Sequence, residues 1–382
     1  MTELYANVQT FSSEVYGQVI GQQEANLQNS LISPLSLYVA LLMTATGAAG
    51  RTLDELRSTL NIPEQLQAGQ VHDIGSKLSR EFTTNRDVEI LLANRIFITR
   101  DINLKREFTS SLHTYYSADA EMLAHLTDTE AKRRHINQWV SKQTESKIQE
   151  LIPVGALSEE SPLFIANAIY FKGAWESTFA QAKTHSAAFY GLDGSETQVK
   201  TMTKDATYQY EVLSDLDATA IKLPFLDNAY ELLIILPDAH NGLPGLLQQL
   251  KAKETLKTVL QKPFLKKYLS ICLPRFKLTE IPTMDLKTHL SSLGLQTLFS
   301  KDANLTMITE DSKLYVDKLL HKTFISVTEG GVEAAAATGF EFAFLSLAKP
   351  KKFRVDHPFF FAVIYKSTVP VFLGHVVEIQ DN

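Results

Sequence analysis

The sequence predicts an α+β domain with several sheets, and three observations carry that expectation. A helical stripe opens the chain, runs rich in β-branched and aromatic residues recur from residue 87 onward, and no repeat, low-complexity tract or flexible linker divides the 382 residues. One domain spanning residues 1–382 is therefore expected. Composition permits a large core: 45% of residues are hydrophobic and 21% charged, which excludes disorder, collagen and a disulfide-stapled miniature.

Residues 3 to 22 place Val8, Phe11, Val15 and Val19 three and four positions apart, the apolar stripe of an amphipathic helix. Thr52-Leu53-Asp54-Glu55 reads as a capping box, hydroxyl and carboxylate each satisfying the other's end amides, so the first 80 or so residues are predicted mainly helical. From Asp87 to Thr99, and again over 161–173, the pattern is that of strands in a buried sheet. Between them Ile136, Trp139, Val140 and Ile148 share one side of a helix predicted over 129–148, which should lie on that sheet. More strands are predicted in ELLIILP, YLSICLPRFKL, YVDKLLHKTFISVTE, PFFFAVIY and VPVFLGHVVEI, with helices near 243–261 and 284–293.

Several function classes fall away. Net charge is −6 with no long run of one sign, so neither nucleic acid nor an anionic membrane is expected as a partner. Cys272 is the only cysteine, which rules out an intrachain disulfide and a thiolate zinc site; it is expected to pack as a small apolar residue. The opening MTELYANVQTF lacks a basic stretch followed by an apolar core, and no run of about 18 apolar residues marks a membrane span. A cytoplasmic protein is expected, with secretion by a removed signal or unconventional export as the alternative. Asn304-Leu305-Thr306 is a glycosylation sequon of the kind that chance produces often. No GxSxG elbow, HExxH, GxGxxG or Walker loop places a nucleophile, a zinc or a phosphate, and the ten histidines lack metal-ligand spacing. Neither catalysis nor a cofactor or metal is expected.

The segment Glu329-Gly330-Gly331-Val332-Glu333-Ala334-Ala335-Ala336-Ala337-Thr338-Gly339 is unusual in its run of small residues after a strand-like stretch. It reads in two ways. Alanine favours a turn followed by a surface helix. Alternation instead places Val332, Ala334, Ala336, Thr338 and Phe340 on one face and Glu333 and Glu341 on the other, so the segment also reads as a strand with an uncharged face that can be buried. Gly330 and Gly331 are expected to supply hinge freedom.

This hinge precedes FRVDHPFFFAVIY...PVFLGHV, and NSLISPLSLYVALLMTATGAAGRTLDEL, INQWVSKQTESKI, NAIYFKGAWESTF, LPRFKL and LGLQTLFSKDANLTMIT stand before it in order. Together they resemble the signatures of the serpin family, serine protease inhibitors, over nearly the whole chain. The resemblance implies about nine helices around three β-sheets, and an exposed reactive-centre loop at about 329–353 that a target serine protease cleaves before it inserts into the main sheet. It also implies a monomer. By the same resemblance Ser33, Ser36, Asn167 and His321 form the polar shutter under that sheet, and Trp175 marks where it first opens. The scissile bond falls after Leu345, sixteen positions beyond Glu329, with Ser346 following; Phe344 and Leu347 remain alternatives because the loop runs about two residues long. The apolar Ala343-Phe344-Leu345-Ser346-Leu347 suits a hydrophobic specificity pocket, so chymotrypsin-like or elastase-like enzymes are expected and trypsin-like ones disfavoured. The alternative function is that of a non-inhibitory serpin: a carrier, chaperone or storage protein. Val332 departs from the Thr or Ser usual at its position, and the glycine is doubled. Lys349, Lys351, Lys352 and Arg354 form a basic cluster expected to be a solvated turn, with recruitment of an acidic protease surface as the other reading.

Overall fold

In the computed structural model, which describes residues 2–23, 26–82, 87–279, 281–310, 314–332 and 349–380, the opening stripe folds as α1 (Thr2–Gln22). Val8, Phe11, Val15 and Val19 are all buried. The next elements are β1 (Ser30–Ile32), α2 (Pro34–Ala45), α3 (Gly50–Thr59) and α4 (Ala68–Glu81). In α2 all twelve residues are buried, because the helix runs through the centre of the molecule. Proline at its first position and the Ser33 side chain, which accepts from the Ser36 N–H, start it there.

The expected capping box does not form. The N-cap of α3 is Ala49, and Thr52 and Glu55 lie inside the helix with their side chains turned outward to a neighbouring segment. Glu55 accepts from the backbone N–H groups of Gln296 and Thr297 at 2.8 and 2.7 Å, and Thr52 Oγ1 from that of Asn304 at 2.9 Å. Those amides keep the Glu55 carboxyl below its usual range against the opposing pull of burial.

The chain continues through β2 (Val88–Ile98), α5 (Arg106–Tyr116), β3 (Ala120–Met122), α6 (Thr129–Gln143), β4 (Leu163–Ala174), β5 (His185–Tyr190), β6 (Glu196–Leu213), β7 (Ala218–Pro224) and β8 (Tyr230–Pro237). It closes with α7 (Leu243–Leu250), α8 (Lys253–Gln261), β9 (Leu265–Pro274), β10 (Phe276–Leu278), β11 (Met284–Asp285), α9 (Lys287–Ser292), β12 (Val316–Thr328), β13 (Gly331–Val332), β14 (Lys351–Arg354), β15 (Phe359–Tyr365) and β16 (Val369–Val376). Three helix expectations need correction. The helix expected to 148 stops at Gln143, where Glu145 and Ser146 take left-handed φ of 48° and 61°. The helix near 243–261 is two, parted by extended backbone at Ala252, and that near 284–293 is shortened because Met284 and Asp285 pair with β12.

The seven-stranded sheet runs β10-β12-β13-β4-β2-β3, with β11 added on β12; the nine-stranded sheet runs β1-β16-β15-β8-β7-β6-β9-β14, with β5 on β6. Among the described residues a third sheet is joined to the second by hydrogen bonding, because the 18-residue β6 pairs with β5, β7 and β9 along its length and makes one sheet of two halves. The seven-stranded sheet is covered on both faces. Leu163, Ile165, Ile169 and Phe171 of β4 join the main core, while Phe164, Ala166, Ala168 and Tyr170 pack with Ile136 and Val140 of α6.

Candidate functional site

The seam between β4 and β12 is where the predicted site residues meet. From Leu163 to Tyr170 the two strands pair directly, in parallel. Beyond that they part, and Gly331–Val332 stands between them as β13, antiparallel to both: Val332 opposite Val327 and Gly173, Gly331 opposite Thr328 and Ala174. Val332 is fully buried in the main core. Gly331 has a specific reason to be glycine. Its φ is +137°, and a Cβ there would lie 2.1 Å from the Gly173 carbonyl oxygen and 2.8 Å from the Ala174 Cα.

Trp175 is buried at the mouth of the seam. Its Nε1 donates to the Thr328 carbonyl at 2.9 Å, its backbone N–H to that of Gly330 at 3.0 Å, and its ring stacks on Phe225 with centroids 4.8 Å apart. Glu329 sits beside it, 6% exposed. Its carbonyl accepts from Phe179 N–H, its carboxylate accepts the Thr184 hydroxyl at 2.8 Å, and Arg275 Nε lies 3.7 Å away. A buried charge with a hydrogen bond and a cationic neighbour fixes the direction in which the chain leaves β12.

Farther down the seam, Ser33, Ser36, Asn167 and His321 are each fully buried, and the structure brings all four together. Asn94 of β2, Asn167 of β4 and His321 of β12 are register partners, a polar row crossing three strands. Asn167 donates to Asn94 Oδ1 and to the Ser36 hydroxyl, and also to the Ser36 carbonyl at 3.1 Å. Its Oδ1 meets His321 Nδ1. The Ser33 N–H donates to His321 Nε2 at 3.0 Å, and the Ser33 hydroxyl to the Val371 carbonyl at 2.7 Å. Since Ser33 N–H can only donate, Nε2 is the bare nitrogen and Nδ1 carries the proton given to Asn167. Burial favours this neutral ring and depresses the His321 pKa to about 3. Thr323 Oγ1, bonded to the Leu31 carbonyl at 3.0 Å, continues the polar contacts toward β1.

Asn94, Thr184 and Arg275 escaped the sequence reading. Only their register and crossings identify them; no local pattern does. Glu333, Ala334, Ala335, Ala336, Ala337 and Thr338 of the hinge, and Leu345 and Ser346 of the reactive bond, lie outside the described residues. After Lys349 and Pro350 the chain enters β14, parallel to β9. The basic cluster is thus an edge strand and not the expected solvated turn, because Phe353, 4% exposed, anchors it in the core. Cys272 pairs across from Arg354 in register and is half-buried, less packed than expected.

One further trio gathers metal-ligating groups: atoms of His240, Asp356 and His357 lie within 4.8 Å of one another. As arranged they are a packing cluster. The His240 ring is sandwiched between Tyr190 and His357, at 21° and 24°, and near-parallel stacked imidazoles share no in-plane position for an ion.

The family described as Serpin (serine protease inhibitor) matches residues 6–379. The chain is 34% identical to Leukocyte elastase inhibitor A of Mus musculus over 355 residues, covering 91% of this chain and 92% of that protein. It is 30% identical to Serpin B4 of Homo sapiens, with 94% of each covered. Among solved structures it resembles Serpin48 of the insect Tenebrio molitor, described as a highly specific serpin, with a TM-score of 0.89, 29% identity and 99% of each chain covered.

Proposed function

Because the chain belongs to the serpin family of serine protease inhibitors, we propose that it is a suicide inhibitor whose bait bond joins Leu345 to Ser346. The serine oxygen of the protease attacks the Leu345 carbonyl, the peptide bond breaks, and the Ser346 amine leaves with a proton while an ester holds Leu345 to the enzyme. The freed segment then extends β13 down the seam between β4 and β12. Water competes for the ester, so trapping requires insertion to outrun hydrolysis.

The observation that carries this reading is β13. Two residues already hold the place between β12 and β4, and the next strand positions follow in the chain. With Val332 on the core face, alternation puts Ala334, Ala336 and Thr338 on that face and Glu333 on the other, so no charge is driven into the core. The Asn167–His321 contact is a polar link across the seam in the path of the strand, and α6 packs on the opposite face of β4 against Ala166 and Ala168. An apolar residue at 345 selects chymotrypsin-like or elastase-like enzymes, the partner class suggested too by the name of the mouse relative.

The test is incubation with chymotrypsin and with an elastase, followed by a denaturing gel. A covalent adduct is expected, with a released carboxy-terminal peptide whose mass places its start at Ser346. Cleavage without adduct would assign the chain to the non-inhibitory members; a peptide beginning at Leu347 or Ala348 would move the bait bond.

A further inference from the structure

The basic cluster after the bait segment is larger in the structure than in the sequence. β14 lies parallel to β9 with Lys351 opposite Leu269, Lys352 opposite Ser270 and Arg354 opposite Cys272, so its charges meet those of Lys266 and Lys267 at the start of β9. Lys352 and Arg354 are exposed on the outer face of β14, and Lys266 on that of β9, opposite the face that buries Leu269, Ile271 and Phe353. Lys267 and Lys351 turn to the other face and converge on one ring: their ammonium nitrogens lie 4.7 and 4.5 Å from the Tyr210 centroid, and Lys351 also donates to its hydroxyl. Arg354 has Asp356 at 4.0 Å, but among the described residues no carboxylate lies within ion-pair distance of Lys266, Lys267, Lys349, Lys351 or Lys352. A chain of net charge −6 thus gathers six cations around β9 and β14, three of them, Lys266, Lys352 and Arg354, on the outer face, and five of the six without a described counter-ion. A tyrosine ring attracts an ammonium but does not neutralise its charge.

We propose that the outer face of β9 and β14, where Lys266, Lys352 and Arg354 are exposed, is a docking surface for an acidic rim beside the cleft of the target protease, on the leaving-group side of the bait bond. The inference rests on the trapping reading and adds the partner's charge to it. Distance carries it. Lys349 lies four residues beyond Leu345, and four extended residues span at most about 14 Å. A protease footprint of about 800 Å² is some 30 Å across, so an enzyme seated on the bait bond overlies the cluster. Opposite charge there accelerates encounter, and the like-charged enzymes are turned away.

The experiment measures trapping rates against two elastase-type proteases with similar apolar pockets and opposite net charge, at low and at about 0.5 M salt. The variants are Lys266→Glu/Lys352→Glu and a charge-matched control, Lys77→Glu/Lys301→Glu, at exposed sites elsewhere. The parent and the control should trap the anionic enzyme about tenfold faster at low salt, an advantage that high salt removes. The Lys266→Glu/Lys352→Glu variant should lose that advantage while still forming the adduct. Equal salt slopes for parent and variant would overturn the proposal, as would a variant that traps the anionic enzyme at the parent's rate. Absence of adduct from the parent with both enzymes would sink the trapping reading instead, and the docking surface with it.

Discussion

The two ends of the β4–β12 seam are built on opposite principles. At the upper end the strands are already apart, with Gly331 and Val332 between them and backbone hydrogen bonds to each side. Lower down they are pressed together, and a row of Asn94, Asn167 and His321 ties three strands across the same plane. The upper end offers small residues and a glycine that only a close backbone approach explains; the lower offers buried polar groups that are costly to separate and costly to leave unpaired. On the trapping reading, an entering strand would find its start prepared and its next step guarded.

The largest effect should follow from cutting the loop. If the upper end is a start and not a terminus, the cleaved protein should gain a central strand and melt above about 90 °C, with the intact form melting as an ordinary domain. Calorimetry before and after limited proteolysis reads this, and an unchanged melt would mean that the seam admits nothing beyond Val332. Next comes Ala336→Arg, which forces an unpaired guanidinium onto the core face. Each 1.4 kcal/mol or so added to the insertion barrier slows that step tenfold, so hydrolysis of the ester gains tenfold on insertion and the moles of inhibitor consumed per mole of protease silenced should rise. Glu333→Arg should stay near the parent; the reverse pattern would invert the face assignment.

Two substitutions probe the two ends separately. Asn167→Ala removes the partner of Asn94, Ser36 and His321 at once and should cost about 3 kcal/mol in denaturant unfolding; a loss below about 1 kcal/mol would strip the lower end of its guarding role. Gly331→Ala should cost about 1–3 kcal/mol or expel β13, visible as a shift in Trp175 emission, since Trp175 donates to the Gly330 carbonyl through its own N–H. An unaltered spectrum and melt would leave the glycine unexplained.

A further effect is one of pH. Burial holds His321 at about 3 and His375 at about 4, below the ordinary 6.5. Above about pH 7 neither folded nor unfolded chain takes up these protons. As pH falls below 6.5 the unfolded chain does and the folded one does not, so stability should drop, by up to about 1.4 kcal/mol per pH unit per histidine, until the folded pKa is reached. Denaturant midpoints from pH 7 to 4 should fall less steeply in His321→Gln than in the parent. Identical slopes would exclude His321 as a source.

What was legible in the sequence was what repeats locally. Val8, Phe11, Val15 and Val19 announce α1, and β-branched runs announce β2, β4 and β12. The hairpin of β5 and β6 carries no such signal, since its two strands lack a β-branched run, with only Phe189 and Val199 buried from its paired stretch 186–190 and 196–200. The polar row was half visible: family likeness pointed to Asn167 and His321, but Asn94 joins them only because antiparallel pairing brings residue 94 opposite 167. Thr52 and Glu55 show the converse. Their spacing fits a local cap, and tertiary structure spends them on Thr297 and Asn304, about 250 residues away.

The reactive segment is a rope tied at both ends to different frames. Its first knot, β13, belongs to the seven-stranded sheet and its second, β14, to the edge of the nine-stranded one. An uncut rope gains slack only if a knot slips, and the second holds by four register positions on a single neighbour. On the trapping reading, the lifetime of the unspent inhibitor would be set at the edge of a different sheet from the one it would enter, for as long as four residues of β14 keep their grip on β9.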